Sequence, residues 1–407
     1  MIRLIRSTYV VALLALATPL VAQSAKPDSA RAQTPADRPA SVPWFEKIAV
    51  RGYSQIRYNR LLETNEALNC AQCDRSIGRN GGFFLRRGRI ILSGQVHPRV
   101  SIYIQPDYAS DAAGTQHYFQ LRDAYFDLSL DDARVHRLRF GQSKVPFGFE
   151  NMQSSSNRLP LDRHDGLNSA VANERDLGVF YYLTPPVVQR RLEYLVSSGL
   201  KGSGNYGMFG LGLYNGQTAN RPEANNSQHA VARLTYPWEL PSGQFVEASV
   251  QAYRGYVVPP VVSAGVTRRA EYLDARQAVT FVWYAQPLGV VAEYNWGHGP
   301  EYDAATNSIV GRPLSGGFVQ AMYRWQRNGQ VIQPFARLHE YHGGKKVEQD
   351  ARRYEVHETE FGVEWLPFPA FELTVMYTSS DRLFEDLATE GNRQRGNFLR
   401  LQAQFNY

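Results

Sequence analysis

Beyond residue 22 the sequence contains no apolar run approaching the ~18 residues that a membrane-spanning helix needs, so a helical membrane protein is excluded. Cysteine is scarce: only Cys70 and Cys73 occur in 407 residues, separated by two residues in a Gly/Asn/Asp-rich stretch. No further Cys or His lies near enough in sequence to complete a metal site, and a thioredoxin-type motif would need a β-α-β setting that is absent. In an exported chain, a short disulfide that stiffens a loop is the reading of this pair. An excess of one charge is also missing. The 44 basic side chains stand against 38 acidic ones, and Arg3 and Arg6 belong to a segment expected to be removed, leaving 42. So mild a surplus names no partner by itself, and nucleic acid is not expected. There is no repeat of fixed period and no second compositional regime. One domain of about 360 residues follows, large for a sandwich and ordinary for a big barrel.

The N-terminus has the three parts of a secretory signal peptide: Arg3 and Arg6, an apolar stretch over residues 10–20, and the small Ala22. Cleavage is expected after Ala22, with Ala25 the second choice; a retained anchor is the alternative. Residues 23–45, rich in Ala, Pro, Ser and Asp, read as a flexible lead-in to a barrel over residues 46–407.

What the sequence has in abundance is alternation. Leu399, Leu401, Ala403, Phe405 and Tyr407 share one face of the last segment, and Arg400, Gln402, Gln404 and Asn406 share the other. Period two means a strand greasy on one side and wet on the other. Phe361, Val363 and Trp365 likewise oppose Glu358, Glu360 and Glu364, and Val290, Ala292, Tyr294 and Trp296 oppose Glu293 and Asn295. A soluble sandwich turns its apolar face inward and a membrane barrel turns it outward, and periodicity alone does not separate them. Three features favour the barrel. Aromatics such as Trp296, Trp325, Trp365, Tyr377 and Tyr407 end the apolar faces, as interfacial girdles require. The segments run about 9 to 14 residues, longer than ordinary soluble strands. Connections alternate short and long, the long ones near 61–81, 145–174, 216–228, 257–269, 298–314, 343–353 and 382–396. Short periplasmic turns and long extracellular loops are expected of an all-β, transmembrane antiparallel β-barrel of about 16 strands. The spacing predicts strands over 46–60, 82–95, 100–109, 118–130, 135–144, 175–184, 206–215, 229–237, 244–256, 270–285, 289–297, 315–327, 331–341, 354–366, 371–381 and 397–407. The strand-like segment 192–200 would make seventeen and is placed in an enlarged turn or a bent approach to the next strand.

If the apolar faces meet lipid, the alternate residues line water. The first strands and the last then supply Arg51, Arg57, Arg87, Arg89, Arg137, Arg139, Lys144 and Arg400, a continuous basic wall, since the last strand of a closed barrel pairs with the first. Later strands supply mainly Glu247, Glu293, Glu358, Glu360, Glu364 and Glu372, with Arg233, Arg324 and Arg337 among them. A ladder of cations lowers the barrier for anions by replacing lost hydration, and the arginine fork suits phosphate or carboxylate. The plainer alternative is that these charges only keep the lumen wet. The longest loop, 145–174, carries Arg158, Asp162, Arg163, His164 and Asp165; a loop of that length is usually functional, and in a large barrel it can fold inward. No catalytic residues, metal ligands or cofactor are expected, because neither a Ser-His-acid nor a metal-ligand spacing accompanies that cluster.

The stretch Leu138-Arg139-Phe140-Gly141-Gln142-Ser143-Lys144-Val145-Pro146-Phe147-Gly148-Phe149-Glu150 closely resembles the G-Q-x-K-x-P-F-x-x-E segment of the phosphate-selective porin O and P family. Phe84-Leu85-Arg86-Arg87-Gly88-Arg89, Glu174-Arg175-Asp176-Leu177-Gly178-Val179 and the aromatic C-terminus support it. The resemblance implies a sixteen-stranded outer-membrane barrel, commonly a homotrimer, with an inward third loop and an arginine-rich conduit for phosphate or related small anions. By the motif, Lys144 would sit at the mouth of the constriction loop with Arg139 on the strand below. The family's further constriction lysines have no evident counterpart, which leaves phosphate specificity open. The competing functions are a structural or adhesive barrel with a plugged lumen and a barrel-based outer-membrane enzyme. A substrate-gated transporter would need a plug domain that nothing before residue 46 could form.

Overall fold

The computed structural model describes residues 43–68, 81–109 and 118–407. Cys70 and Cys73, and with them the expected disulfide, lie outside the described residues. The chain forms sixteen antiparallel passes: β1 (Ile48–Leu61), β2 (Gly82–His97), β3 (Val100–Ala109), β4 (Tyr118–Ser129), β5 (His136–Lys144), β6 (Arg175–Leu183), β7 (Phe209–Tyr214), β8 (His229–Glu239), β9 (Phe245–Val257), β10 (Tyr272–Trp283), β11 (Leu288–Asp303), β12, β13 (Gln330–Gly344), β14 (Arg353–Phe368), β15 (Phe371–Asp386) and β16 (Thr389–Asn406). The pass β12 comprises Ser308–Tyr323 and Trp325–Arg327, interrupted at Arg324, and both pieces pair with β13. Every strand pairs with its sequence neighbour, and β1 closes on β16 through Tyr53↔Asn406, Gln55↔Gln404 and Arg57↔Gln402. Closure leaves no unpaired sheet edge, the condition for crossing lipid with strands.

The greasy faces point outward. Val319, Leu338, Phe361, Val250 and Phe405 are about half exposed, whereas their strand neighbours Gln320, Arg337, Glu360, Gln251 and Gln404 are buried inside the barrel. Residues that a soluble fold would hide are thus on the outer wall, where hydrocarbon replaces water. Among the described residues, no helix is long and apolar enough to cross a membrane.

The strand assignments from periodicity agree with the structure within a few residues, with two kinds of correction. The stretches 298–314 and 382–396, read as long loops, are mostly ladder: β11 meets β12 as far as Asp303↔Ser308, and β15 meets β16 as far as Asp386↔Thr389. Two hairpins therefore stand well above the membrane band. The segment 192–200 is not a strand but continues a helix, Pro186–Ser197, within the turn between β6 and β7. Its buried Val188, Leu192 and Leu195 recur at helical spacing. Pro186 sits in its first turn, where no N–H is missed. This turn is the exception to short periplasmic connections. It folds back into the barrel, with Leu195 and Leu200 packed among Phe245, Tyr284, Met322 and Phe335.

Candidate pore and constriction

The loop between β5 and β6 folds into the lumen, as its length suggested. Its apolar side chains explain why. Val145, Phe147, Phe149, Met152, Leu159, Leu161 and Leu167 are at most 4% exposed. They cover apolar inward-facing residues of the later strands, Phe180, Tyr182, Tyr253 and Ala278 on one side and Val282, Phe318, Met322 and Met376 on another. Alternation had suggested a uniformly polar inner face; in fact one side carries an apolar strip that the loop dries out. Burial of that apolar surface, at about 25 cal/mol per Å², is what draws the loop off the barrel mouth.

The backbone turn that starts the loop needs Gly148. It has φ +81°, and a Cβ there would stand 2.2 Å from Leu167 Cδ1. The exposed N–H groups of the first loop turn find wall acceptors: Gly148 N–H donates to Gln251 Oε1 at 3.0 Å, and Phe149 N–H to Glu293 Oε2 at 2.5 Å. A short helix, Asp165–Ala170, then packs so close to the wall that a Cβ at Gly166 would meet the Gly316 backbone at 3.1 Å.

Having covered the apolar side, the loop crosses to the basic wall. Asp162 accepts from Arg57 at 3.0 Å and from Arg400 at 2.5 Å, with Arg86 at 3.5 Å. Burial disfavours its charge, but Arg57, Arg400 and Arg86 outweigh burial and hold the carboxyl well below its usual range. Ser155 hydroxyl stands 2.6 Å from Tyr53 OH and accepts from Arg89 Nη1 at 2.8 Å. Two chambers result. One, of about 220 Å³, is lined by Arg86, Arg87, Arg89, Arg122, Arg158, Arg163 and Lys345 against Asp107, Asp162, Glu174 and Glu348. The other, of about 540 Å³, is lined by Arg51, Tyr53, Tyr103, Tyr125, Arg139, Lys144, Arg175 and Tyr206 among others. Arg89 borders both.

Most of these cations are partly neutralised. Arg89 lies 3.0 Å from Asp107, Arg139 2.7 Å from Asp127, Arg137 3.5 Å from Asp127, Arg158 3.3 Å and Arg163 3.4 Å from Glu174. Arg139 also stacks over Tyr125, 3.7 Å from the ring centroid. Glu174, buried but ringed by Arg163, Arg175 and Arg158, is held well below the usual carboxylate range. Arg87 differs. It donates to Gln55 at 2.8 Å, and among the described residues no carboxylate lies within ion-pair distance of it. Arg51, exposed at the second chamber, also has no acid partner among the described residues. Arg158 Nη1 and Nε are buried with no hydrogen-bond partner.

All ten basic residues expected at the pore face the lumen or lie on the inward loop, and Lys144, the last residue of β5, stands where that loop begins and lines the second chamber. Its ammonium donates to the carbonyls of Met152 at 3.2 Å and Gln153 at 2.5 Å, so it pins the loop. Sequence parity missed Arg86 and Arg122. Each has a neighbour, Arg87 and Asp123, that also points inward, because bulges interrupt the register opposite Gln55/Ile56 and between Gln105 and Pro106. The later acids are absorbed locally: Glu360 by Arg337 at 2.5 Å, Glu358 by Arg382 at 2.7 Å, Glu364 by Lys201 at 2.6 Å and Glu247 by Arg233 at 3.3 Å. Asp165, His339 and Glu358 converge in the lumen. Arg382 and Lys345, at 2.6 and 2.5 Å from Asp165, already supply the cations such a group would attract.

A closed barrel with a lipid-facing exterior, a wet charged interior and a loop narrowing its bore defines an outer-membrane channel. The chain belongs to the phosphate-selective porin O and P family, whose model matches residues 65–266 and 260–407. The fold is shared with the anion-selective porin from Comamonas acidovorans, at 9% identity and TM-score 0.52, covering 88% of this chain and 99% of that one. It is shared too with the outer membrane channel DcaP of Acinetobacter baumannii, at 13% identity and TM-score 0.52 over 88% and 97% of the two chains. Salmonella typhi OmpF, in complex with daunomycin, gives 12%, 0.53, 88% and 97%. No curated protein matches the chain.

Proposed function

We propose that this channel is a passive, anion-preferring diffusion pore for small hydrophilic solutes, with phosphate or related oxyanions the preferred class. The observation that carries the reading is the seven-to-four excess of cationic over anionic side chains around the narrower chamber, with Arg87 lacking any acid partner among the described residues. An anion entering there exchanges hydration for guanidinium donors, and a tetrahedral oxyanion can take two from one fork. The remaining pairs limit the field, so a preference rather than strict exclusion of cations follows. We read the chain as non-catalytic, working in contact with outer-membrane lipid as a homotrimer; one solved OmpT of Vibrio cholerae that shares the fold is described as a trimer form. Planar bilayers test the central claim. Reversal potentials in a KCl gradient should report chloride over potassium, and added phosphate should lower the chloride current. A cation preference, or no conductance at all, would overturn it, the second outcome favouring a plugged structural barrel.

A further inference from the structure

The outer wall carries a group that the transport reading does not use. Glu340 and His342 lie on β13 and His357 on β14, with Glu340 directly opposite His357 in the ladder and His342 two residues farther along the same face. All three side chains are exposed. Their ligand atoms lie within 4.8 Å of one another, and the two imidazole rings meet edge to face with centroids 5.1 Å apart. The neighbouring surface charges are paired: Asp381 with Arg393 and Arg395 at 2.9 Å each, Glu355 with Arg353 at 2.5 Å. The side chains of Glu340, His342 and His357 make no hydrogen bond and no ion pair among the described residues. Two imidazoles and a carboxylate therefore converge, unclaimed, on a rigid two-strand platform.

We propose that Glu340, His342 and His357 form a divalent transition-metal site on the barrel exterior, with Zn²⁺, Cu²⁺ or Ni²⁺ the fitting class. Imidazole with carboxylate suits these borderline ions, whereas Mg²⁺ and Ca²⁺ favour all-oxygen shells. Bonds of about 2.0–2.1 Å put tetrahedral ligands about 3.3 Å apart, so modest rotamer changes in three exposed side chains close the site. The outward position stays open for water. The location is specific: His357 is eight residues above the girdle residue Trp365 on its strand, roughly 20 Å along the membrane normal for a tilted strand, near the upper edge of an apolar band about 25 Å tall. Below it the wall is an apolar concavity formed by Val279, Phe281, Tyr294, Val319 and Leu338, at whose polar end Glu340 and His357 stand. A bound ion would staple β13 to β14 and place positive charge at headgroup level, where it could face anionic lipid.

The test uses the full mature chain refolded in detergent, stripped with chelator and titrated with Zn²⁺ against a chromophoric competitor. One ion per chain is expected, with affinity falling about tenfold or more in His342→Ala and in His357→Ala, and unchanged in His97→Ala on a distant turn. Cu²⁺ loaded at the same site should show superhyperfine coupling to two nitrogens, reduced to one in either site variant. Heat-modifiable gel mobility verifies that each barrel has folded; should one histidine variant fail to fold, Glu340→Gln is measured in its place. No saturable binding to the folded wild type, or equal binding to the folded His342→Ala/His357→Ala double variant, would overturn the proposal.

Discussion

Asp162, on the inward loop, lies 3.0 Å from Arg57 on the first strand, and this pair fastens the loop to the seam where the barrel closes. Arg57 reinforces it by donating to the Leu161 carbonyl at 2.9 Å and to Gln402 of the last strand at 2.8 Å. The residues that would be read as an anion ladder are thus also the loop's anchor, and the two roles separate by mutation.

Asp162→Asn removes the negative charge that Arg57 and Arg400 share. Loss of a buried charge partner costs roughly 3 kcal/mol where water is excluded, less where the lumen is wet. The variant should unfold at lower denaturant and conduct chloride more selectively than the wild type. Reversal potential and a denaturant melt measure both.

Arg87→Gln should behave in the opposite manner. With no acid left unpaired among the described residues, stability should change by less than about 1 kcal/mol. Anion preference should fall measurably in the same KCl gradient. An unchanged reversal potential would move the selective contacts to Arg86, Arg158 or Arg163.

Lys144→Met deletes the two bonds that hold the Met152 and Gln153 carbonyls. Each charge-assisted bond is worth about 1.5–3 kcal/mol. A looser loop should raise open-channel noise and mean conductance, with less effect on selectivity than Arg87→Gln. Single-channel recording decides between a loop clamp and a filter residue.

Acid should leave the loop docked over an unusually wide range. The carboxyls of Asp162 and Glu174 are held below their unfolded values by surrounding arginines. Their stabilisation is therefore complete above about pH 4 and is lost only as pH falls through the depressed folded values. Limited proteolysis of the loop should be equally slow at pH 7 and pH 4. Cleavage that appears near pH 5 would show that these carboxylates do not anchor it.

Export should remove residues 1–22, so the intact mass of the outer-membrane protein should begin at Gln23. A mass that retains Arg3 and Arg6 would indicate an anchored precursor instead.

Alternation such as that along Leu399–Tyr407 and Phe361–Trp365 gave the strands, because period two maps one residue to one side of a sheet wherever the ladder is regular; the girdle aromatics and the alternating short and long connections gave their number and the side facing lipid. The length of the loop over 145–174 suggested that it turns inward; its apolar residues from Val145 to Leu167 are the physical reason that it does. Three things lay beyond that mapping. Bulges opposite Gln55 and Gln105 break parity, so Arg86 and Arg122 joined the pore unannounced. Helical spacing at Val188, Leu192 and Leu195 is too short to distinguish from a strand without knowing which face is covered. Which charge meets which was decided by the tertiary structure alone: Asp162 with Arg57, Glu340 beside His357 and Lys201 with Glu364 depend on register and on where a loop crosses the lumen. Those contacts span up to 163 residues of sequence, and no local pattern encodes a distance that long.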